Sequence, residues 1–487
     1  MDIEQNVHQI RAEFGDPKDL KVRFFTFGSA RPRTGALLYF LDLTEDGAIP
    51  ETILRPLMIE TWKLSDAQIL APDLISKLQN EFLLGAETET VSGFNQAVQA
   101  LLGGRVILLV DGHASAIAIN LRQEHRREIQ EPDVEMVITG PREGFVETIS
   151  RNIGLIRRRI ATPSLRVQEF QLGEKSQTRV TLIYIAGLAD DRIVSEAISR
   201  LNKIQVEAVF DPGQLEDFLE DAPWSPFPTW GTTERVDVCA AQLLEGCVAI
   251  LTDGSPVCLF APVTFLSFFQ TPDDYYMRYP AATLARWLRL SGISISLVFP
   301  SLYLAIVNFH PELIPFALLV TIAAAKERIP FPLVVEILLM EAVFEMLREA
   351  GLRMPRPIGQ ALTIVGPLVI GQAAVQAGLV AAPVIVVVAT TAIGTFLIAR
   401  EKVTQATRIL RFPLLILTAL FGMFGLILGM IALLTHQVSL RSLGVPYMYP
   451  LAPLDLKALR DVLIRSPKWD FQSRRVAVHL PEDEGSD

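Results

Sequence analysis

Leu290-Ser-Gly-Ile-Ser-Ile-Ser-Leu-Val-Phe-Pro-Ser-Leu-Tyr-Leu-Ala-Ile-Val-Asn-Phe309 runs for 20 residues without a charged side chain. At about 1.5 Å per helical residue, that is enough to cross roughly 30 Å of hydrocarbon. Two more uncharged runs follow, Pro357–Ala399 and Phe412–Leu434. The last, 23 residues, is again one span long. The middle run, 43 residues, reads as two spans near Ala361–Gly378 and Pro383–Ala399, joined by Leu379–Ala382. Hydrocarbon offers the backbone no hydrogen-bonding partner, so helices are expected throughout. Residues 290–434 are read as an α-helical transmembrane domain, with lipid as its surroundings.

The rest of the chain is different. Mean hydropathy over all 487 residues is +0.34, high for a soluble protein, and the apolar excess lies in about the last 200 residues. Before it, about 280 residues are mixed and charged and should fold in water. A net charge of −10 without any Lys/Arg tract argues against nucleic-acid binding. Cys239, Cys247 and Cys258 lack the spacing of a metal clip, and their odd number points to reduced thiols. Met1–Asn6 has no apolar core of a signal peptide, so the N-terminal region is expected on the cytoplasmic side.

That region contains an internal match. Leu20-Lys-Val-Arg-Phe-Phe-Thr-Phe-Gly28 reappears as Leu165-Arg-Val-Gln-Glu-Phe-Gln-Leu-Gly173, and Tyr39, Leu43, Asp46, Glu51 and Arg55 match Tyr184, Leu188, Asp191, Glu196 and Arg200 at the same offset. Gly104-Arg-Val-Ile-Leu-Leu-Val-Asp-Gly112 matches Gly246-Cys-Val-Ala-Ile-Leu-Thr-Asp-Gly254. The reading is an α/β cytoplasmic region of two tandem repeated units, 1–125 and 126–262, the second including a connecting helix. Each unit reads as helix, strand, strand, helix, then a hairpin turning at Asp111-Gly112 or Asp253-Gly254. Turn chemistry accounts for both aspartates better than a pair of functional carboxylates does. Residues 263–289 form a helical neck, where Tyr275, Tyr276, Trp287, Arg278, Arg286 and Arg289 suit the cytoplasmic interface. Residues 435–487 form a tail.

Between the units lies Ile138-Thr-Gly-Pro-Arg-Glu-Gly-Phe-Val-Glu147. Pro141 and Glu143 are ordinary helix-start chemistry, and Arg142 and Glu143 are also candidates for contact with a partner or a neighbouring copy. The chain has no phosphate-binding loop, no dinucleotide fingerprint, no nucleophile–histidine–acid set and no zinc spacing. No enzyme activity, cofactor or metal is expected.

Within the membrane domain Pro300 predicts a kink in the first span. Leu313–Ala325 is apolar but short for a crossing. Phe331–Leu347 carries Glu336, Glu341 and Glu345, so it either lies along the interface or lines a wet cavity. Glu341 and Glu345 share a face, and Arg348 is placed to pair with Glu345. These three carboxylates read first as charge pairing on a submerged helix and second as a cation path. In Ala361–Gly378, Thr363, Gln372 and Gln376 are the candidates for polar pore lining, while Gly366 and Gly371 favour close packing. Gly425 and Gly429 form a small-xxx-small pair in the last span. Charge counting leaves the parity of crossings open. Arg348/Arg353/Arg356 and Arg400/Lys402/Arg408/Arg411 both suit the cytoplasm, and so do the cations of the tail.

Several motifs together resemble the A-subunit family of spore germinant receptors, the GerA type. They are Gly140-Pro-Arg-Glu-Gly-Phe145 followed by Asn152 and Leu155-Ile-Arg-Arg-Arg159, Asp273-Asp-Tyr-Tyr276, Arg328-Ile-Pro-Phe-Pro332, Glu345-Met-Leu-Arg-Glu-Ala350, Arg353-Met-Pro355, Ile370-Gly-Gln-Ala-Ala-Val375 and Gly444-Val-Pro-Tyr447. The resemblance implies a receptor subunit in the spore inner membrane, acting with a transporter-like B subunit and a lipoprotein C subunit. It further implies a homo-oligomer, with a pentamer as the suggested number, forming a ligand-gated cation channel. The alternative is a non-conducting scaffold that assembles the receptor.

Overall fold

The structure, a computed structural model, describes residues 2–28, 32–63, 66–69, 71, 73–123, 135 and 140–466. In the first α/β unit, α1 (Ile3–Glu13) precedes the antiparallel pair β1 (Leu20–Phe27) and β2 (Arg33–Phe40), in which Leu20 lies opposite Phe40. A series of short helices leads to β3 (Thr88–Val91), α2 (Phe94–Leu102) and the hairpin β4 (Val106–Val110) and β5 (Ala116–Ile119). The sheet order is β1-β2-β4-β5-β3. Consecutive apolar residues such as Ala36-Leu37-Leu38 fit because both faces are covered. Leu38 and Ile107 pack under α1 and α2, while Leu37 and Leu108 pack against Ile53, Leu57 and Leu78 of the short helices.

The second unit runs α3 (Ile149–Arg159), β6 (Leu165–Leu172), β7 (Thr178–Ile185), α4 (Asp191–Lys203), α5 (Pro212–Leu219), β8 (Gly231–Thr233), α6 (Val236–Leu244), β9 (Val248–Thr252) and β10 (Cys258–Ala261). Its sheet order, β6-β7-β9-β10-β8, is that of the first sheet position for position. The edge strands β3 and β8 were not expected from the sequence, because three or four residues are too few to show alternation. Gly112 and Gly254 occupy the left-handed region at the two hairpin turns, with φ of +82° and +88°. Asp253 does more than turn the chain, since its Oδ1 accepts the Ile149 N–H at 3.1 Å and caps α3. All three cysteines are buried and free.

A helical bundle follows. The 31-residue α7 (Tyr279–Phe309) leads away from the α/β units. The short α8 (Phe316–Lys326) stays at its far end, for Ile329 and Leu333 beyond it still pack with Leu304 and Val380. Then α9 (Leu333–Arg353) returns, α10 (Arg356–Gln376) leads out and α11 (Ala382–Phe396) returns. Gly292 of α7 and Gly394 of α11 allow a close crossing: a Cβ on either would lie 2.8–2.9 Å from the other's carbonyl oxygen.

The last helix, α12 (Glu401–Ser439), corrects the expectation of a single span over Phe412–Leu434. Its backbone leaves helical geometry at Gly422, with φ +63° and ψ −141°. A Cβ on Gly425 would run into the Leu417 carbonyl, and one on Gly429 into the Leu414 side chain. Leu414 and Gly429 would be about 22 Å apart on one straight helix. The chain therefore reverses at Gly422, and the segments 401–421 and 423–439 form a hairpin whose tip rests on the Phe309 ring.

The tail returns to the second α/β unit. Ser442 Oγ donates to the Thr229 carbonyl at 2.6 Å and accepts the Val263 N–H at 3.0 Å, and the Leu443 N–H donates to Asp221 at 2.8 Å. Leu443 and Val445 are part of that unit's core, beside Leu182 and Ile250. The segment just after α12, Ser442 to Val445, is thus structurally a piece of the second unit. It continues to a short helix, α13 (Leu456–Leu463), laid against the neck.

Candidate functional site

On α9, the carboxylates Glu336, Glu341 and Glu345 are turned into the bundle. Glu336 is fully buried, and its Oε2 accepts the Ala381 N–H at 2.8 Å, at the start of α11. A carboxylate there satisfies an orphan backbone donor and faces the positive end of the helix dipole. Glu341 pairs with Arg411 of α12, both side chains being buried. The same guanidinium donates through Nη2 to Ser296 Oγ of α7 at 2.9 Å and to Thr395 Oγ1 of α11 at 3.1 Å. Four helices meet at this one arginine. One turn nearer the α/β units, Glu345 pairs with Arg408, and Arg348 bonds Glu401 at 2.9 Å. Arg348 therefore does not take Glu345, as the local spacing suggested, because α12 brings Arg408 closer.

Glu341 and Glu345, one turn apart, face Arg411 and Arg408, three residues apart, and form a ladder between α9 and α12. The two arginines were missed as site residues because charge counting assigns them to a cytoplasmic loop. The available signal was chemical: carboxylates on an apolar helix call for cations, and these are the nearest cations on a neighbouring apolar segment.

The other candidates lie elsewhere. Gln372 and Gln376 are exposed, one turn apart on α10, and so are Val365, Leu368, Val369, Ile370 and Val375. Gly371, just before Gln372, is buried beside Ile385. Thr363 lies in the part of α10 whose side chains are outside the described residues. Glu143 is engaged within the chain, accepting from Arg159 at 2.6 and 3.1 Å, while Arg142 is exposed.

The neck is built on Asp274, which is fully buried. It accepts from Arg286 Nε at 3.0 Å, from both terminal nitrogens of Arg289, and from Thr271 at 3.1–3.2 Å. Burial pushes its carboxyl up, but Arg289 and Arg286 outweigh burial and hold it below the ordinary value of 3.8. Next to it, Tyr276 donates to Asp237 at 2.7 Å and stacks over Gly140, where φ is +124° and any Cβ would strike the ring. Arg235 completes the joint, bonding the Pro141 carbonyl at 2.9 Å and Asp237 at 2.7 Å. The Gly140–Phe145 and Asp273–Tyr276 motifs are thus two halves of one joint between the second unit and the neck.

The family described as Bacillus/Clostridium GerA spore germination protein matches residues 8–477. The chain belongs to this family. Spore germination protein KA of Bacillus subtilis (strain 168) is 39% identical over 476 residues, covering 98% of this chain and 86% of that one. Spore germination protein GerLA of Bacillus cereus is 38% identical, covering 97% and 96%. A B. subtilis protein described as uncharacterized membrane protein YfkQ is 38% identical, covering 97% and 90%. The crystal structure of the N-terminal domain of the A subunit of the Bacillus megaterium spore germinant receptor GerK3 is 28% identical, with a TM-score of 0.44, and covers 54% of this chain and 95% of that one. Within this GerA chain, α7 and the two-armed segment 401–439 are long and apolar enough to cross a membrane.

Proposed function

We propose that this GerA-family chain is the A subunit of a spore germinant receptor, embedded in the spore inner membrane and acting without catalysis. Its two α/β units, read as copies of one ancestral unit, lie on the cytoplasmic, spore-core side. The cations at that end of the bundle support this orientation, among them Arg348, Arg353, Arg400 and Lys402. Six passes then cross the bilayer: α7, α9, α10, α11 and the two arms of α12. Copies of the chain assemble, with a pentamer as the suggested number, and B and C subunits complete the receptor. In the assembly, α10 faces a cation path that opens when nutrients are sensed, with Thr363, Gln372 and Gln376 as its polar lining.

The observation that carries this reading is the exposure of Gln372 and Gln376 on a helix that buries few of its described side chains within its own chain. Facing hydrocarbon, two primary amides would go without hydrogen-bonding partners. Facing water or another subunit, they are satisfied. The carboxylates Glu336, Glu341 and Glu345, being paired or capping, hold the bundle together and rank behind the glutamines as cation ligands.

The test is ion flux through the full chain reconstituted in liposomes, with and without its partner subunits and germinant, beside Gln372→Leu and Gln376→Leu. Conduction by the wild type that changes in rate or selectivity with either substitution supports the channel. An assembled receptor that passes no ions in any of these conditions makes the chain a scaffold.

A further inference from the structure

At the start of α7 the bundle carries an open groove of about 590 Å³, lined by Trp287, Leu290, Ser291, Ser294 and Ile295 on one side and by Leu463 and Ile464 on the other. Its second wall is the end of α13, tied down by polar contacts that leave the groove itself apolar. Trp287 Nε1 donates to the Leu463 carbonyl at 2.9 Å, Arg286 donates to the Asp461 carbonyl, and the Arg465 N–H donates to Thr283 Oγ1 at 3.2 Å. The two serines in the lining already bond their own helix: Ser291 Oγ donates to the Leu288 carbonyl at 2.8 Å and Ser294 Oγ to that of Leu290 at 3.4 Å. No lining side chain of the groove is charged, and both hydroxyls already donate to their own helix, so the groove offers no free donor. Even so, Trp287 is 56% exposed and Ile464 50%.

We infer that this groove holds one phospholipid acyl chain and that α13 is seated in the headgroup layer on the α/β side of the bilayer. The inference rests on the membrane reading given above. The groove begins at Trp287, just before the uncharged run, and extends to Ile295, about 7–8 Å beyond Leu290. An indole with its N–H satisfied and its body exposed suits the headgroup boundary. Earlier in the tail, Leu451, Leu454 and Leu456 are also exposed, at 40%, 65% and 71%. The helix packs Leu459 and Val462 on the neck's apolar core and leaves Leu456, at its start, and Ile464, just past its end, exposed. A protein segment would bring backbone carbonyls into a groove with no free donor to bond them, whereas a hydrocarbon chain brings none.

The test uses the full chain in liposomes, with an environment-sensitive fluorophore on Ile464→Cys and, as control, on Leu84→Cys of the first α/β unit, where the leucine is 75% exposed. Phosphatidylcholine brominated on the upper acyl chain is expected to quench the label at position 464 at least twofold and to leave the label at 84 unchanged. Adding Ser294→Trp, which fills the groove, is expected to remove most of the quenching at 464. Quenching of the native Trp287, read as the difference between wild type and Trp287→Phe, gives the same answer without a label. Alkaline carbonate extraction separates the two ways to fail. A chain that stays in the liposomes but is unquenched at 464 and at Trp287 overturns the inference, whether water or a second copy fills the groove. A chain that is extracted overturns the membrane reading and the inference with it.

Discussion

Arg157 of α3 and Asp19 at the head of β1 form a bidentate ion pair across the junction of the two α/β units, at 2.6 and 3.1 Å, with both side chains buried. The guanidinium lies 4.4 Å from the centroid of the Phe40 ring, adding a cation–π contact. Arg158 bonds the Gln123 carbonyl at 2.7 Å, and Arg166 bonds that of Glu13 at 3.0 Å, across the same junction. The Leu155–Arg159 motif thus fastens one unit to the other. Its arginines give the pair of units a fixed relative orientation, on which the neck and bundle are then set.

Arg157→Ala leaves the Asp19 carboxylate buried and unpaired. It should destabilise the α/β pair by about 3–5 kcal/mol. Combining Arg157→Met with Asp19→Leu removes both charges and should recover most of that loss. Chemical denaturation of the full chain in detergent reads both values, and equal midpoints for single and double variants would mean that the pair is not what joins the units.

The ladder of the bundle should show a graded response. Arg411→Met strands Glu341, which is fully buried, whereas Glu345→Gln disturbs a pair whose members are 18–21% exposed. The first is therefore expected to lower the thermal midpoint in detergent by more than the second, and Glu341→Gln added to Arg411→Met should restore part of it. A larger loss from Glu345→Gln would reverse the assignment of the buried end.

Both chain ends should lie on one side of the membrane, because the α12 hairpin brings Ser442 and Leu443 back onto the second α/β unit. Tags at the two termini are expected to be cleaved together, or protected together, by protease added to sealed vesicles. Cleavage of one tag alone would contradict the reversal at Gly422.

Asp274 gives the neck a dependence on acid. Its carboxyl is held below the ordinary value of 3.8 in the folded chain. Its contribution is therefore complete above that value and is lost as the pH falls through the lower, folded one. Stability of the full chain in detergent should fall on acidification below about pH 4, and Asp274→Asn should flatten that part of the profile while lowering stability at neutral pH. An unchanged acid limb in the variant would place the acid sensitivity elsewhere.

Much of the architecture was legible along the chain. The matched segments Leu20–Gly28 and Leu165–Gly173 coincide with β1 and β6, and the two Asp-Gly turns join β4 to β5 and β9 to β10. The gap between the two middle spans falls where α10 gives way to α11. The short edge strands escaped because so few residues carry no periodic signal. The joint between Gly140 and Tyr276 was present as two motifs, but nothing in one dimension says that they touch.

By itself the sequence determined which segments are apolar and need cover, and where alternation and turn residues impose an α/β unit. Those are properties of neighbours along the chain. Tertiary structure alone decided that the last uncharged run reverses at Gly422, because hydropathy counts side chains and is blind to a single backbone torsion. It also decided that Glu341 meets Arg411 and Glu345 meets Arg408, some 63–70 residues away. A carboxylate within an apolar helix requires a cation, but which one it takes depends on how the helices pack, and that is set by all their faces at once.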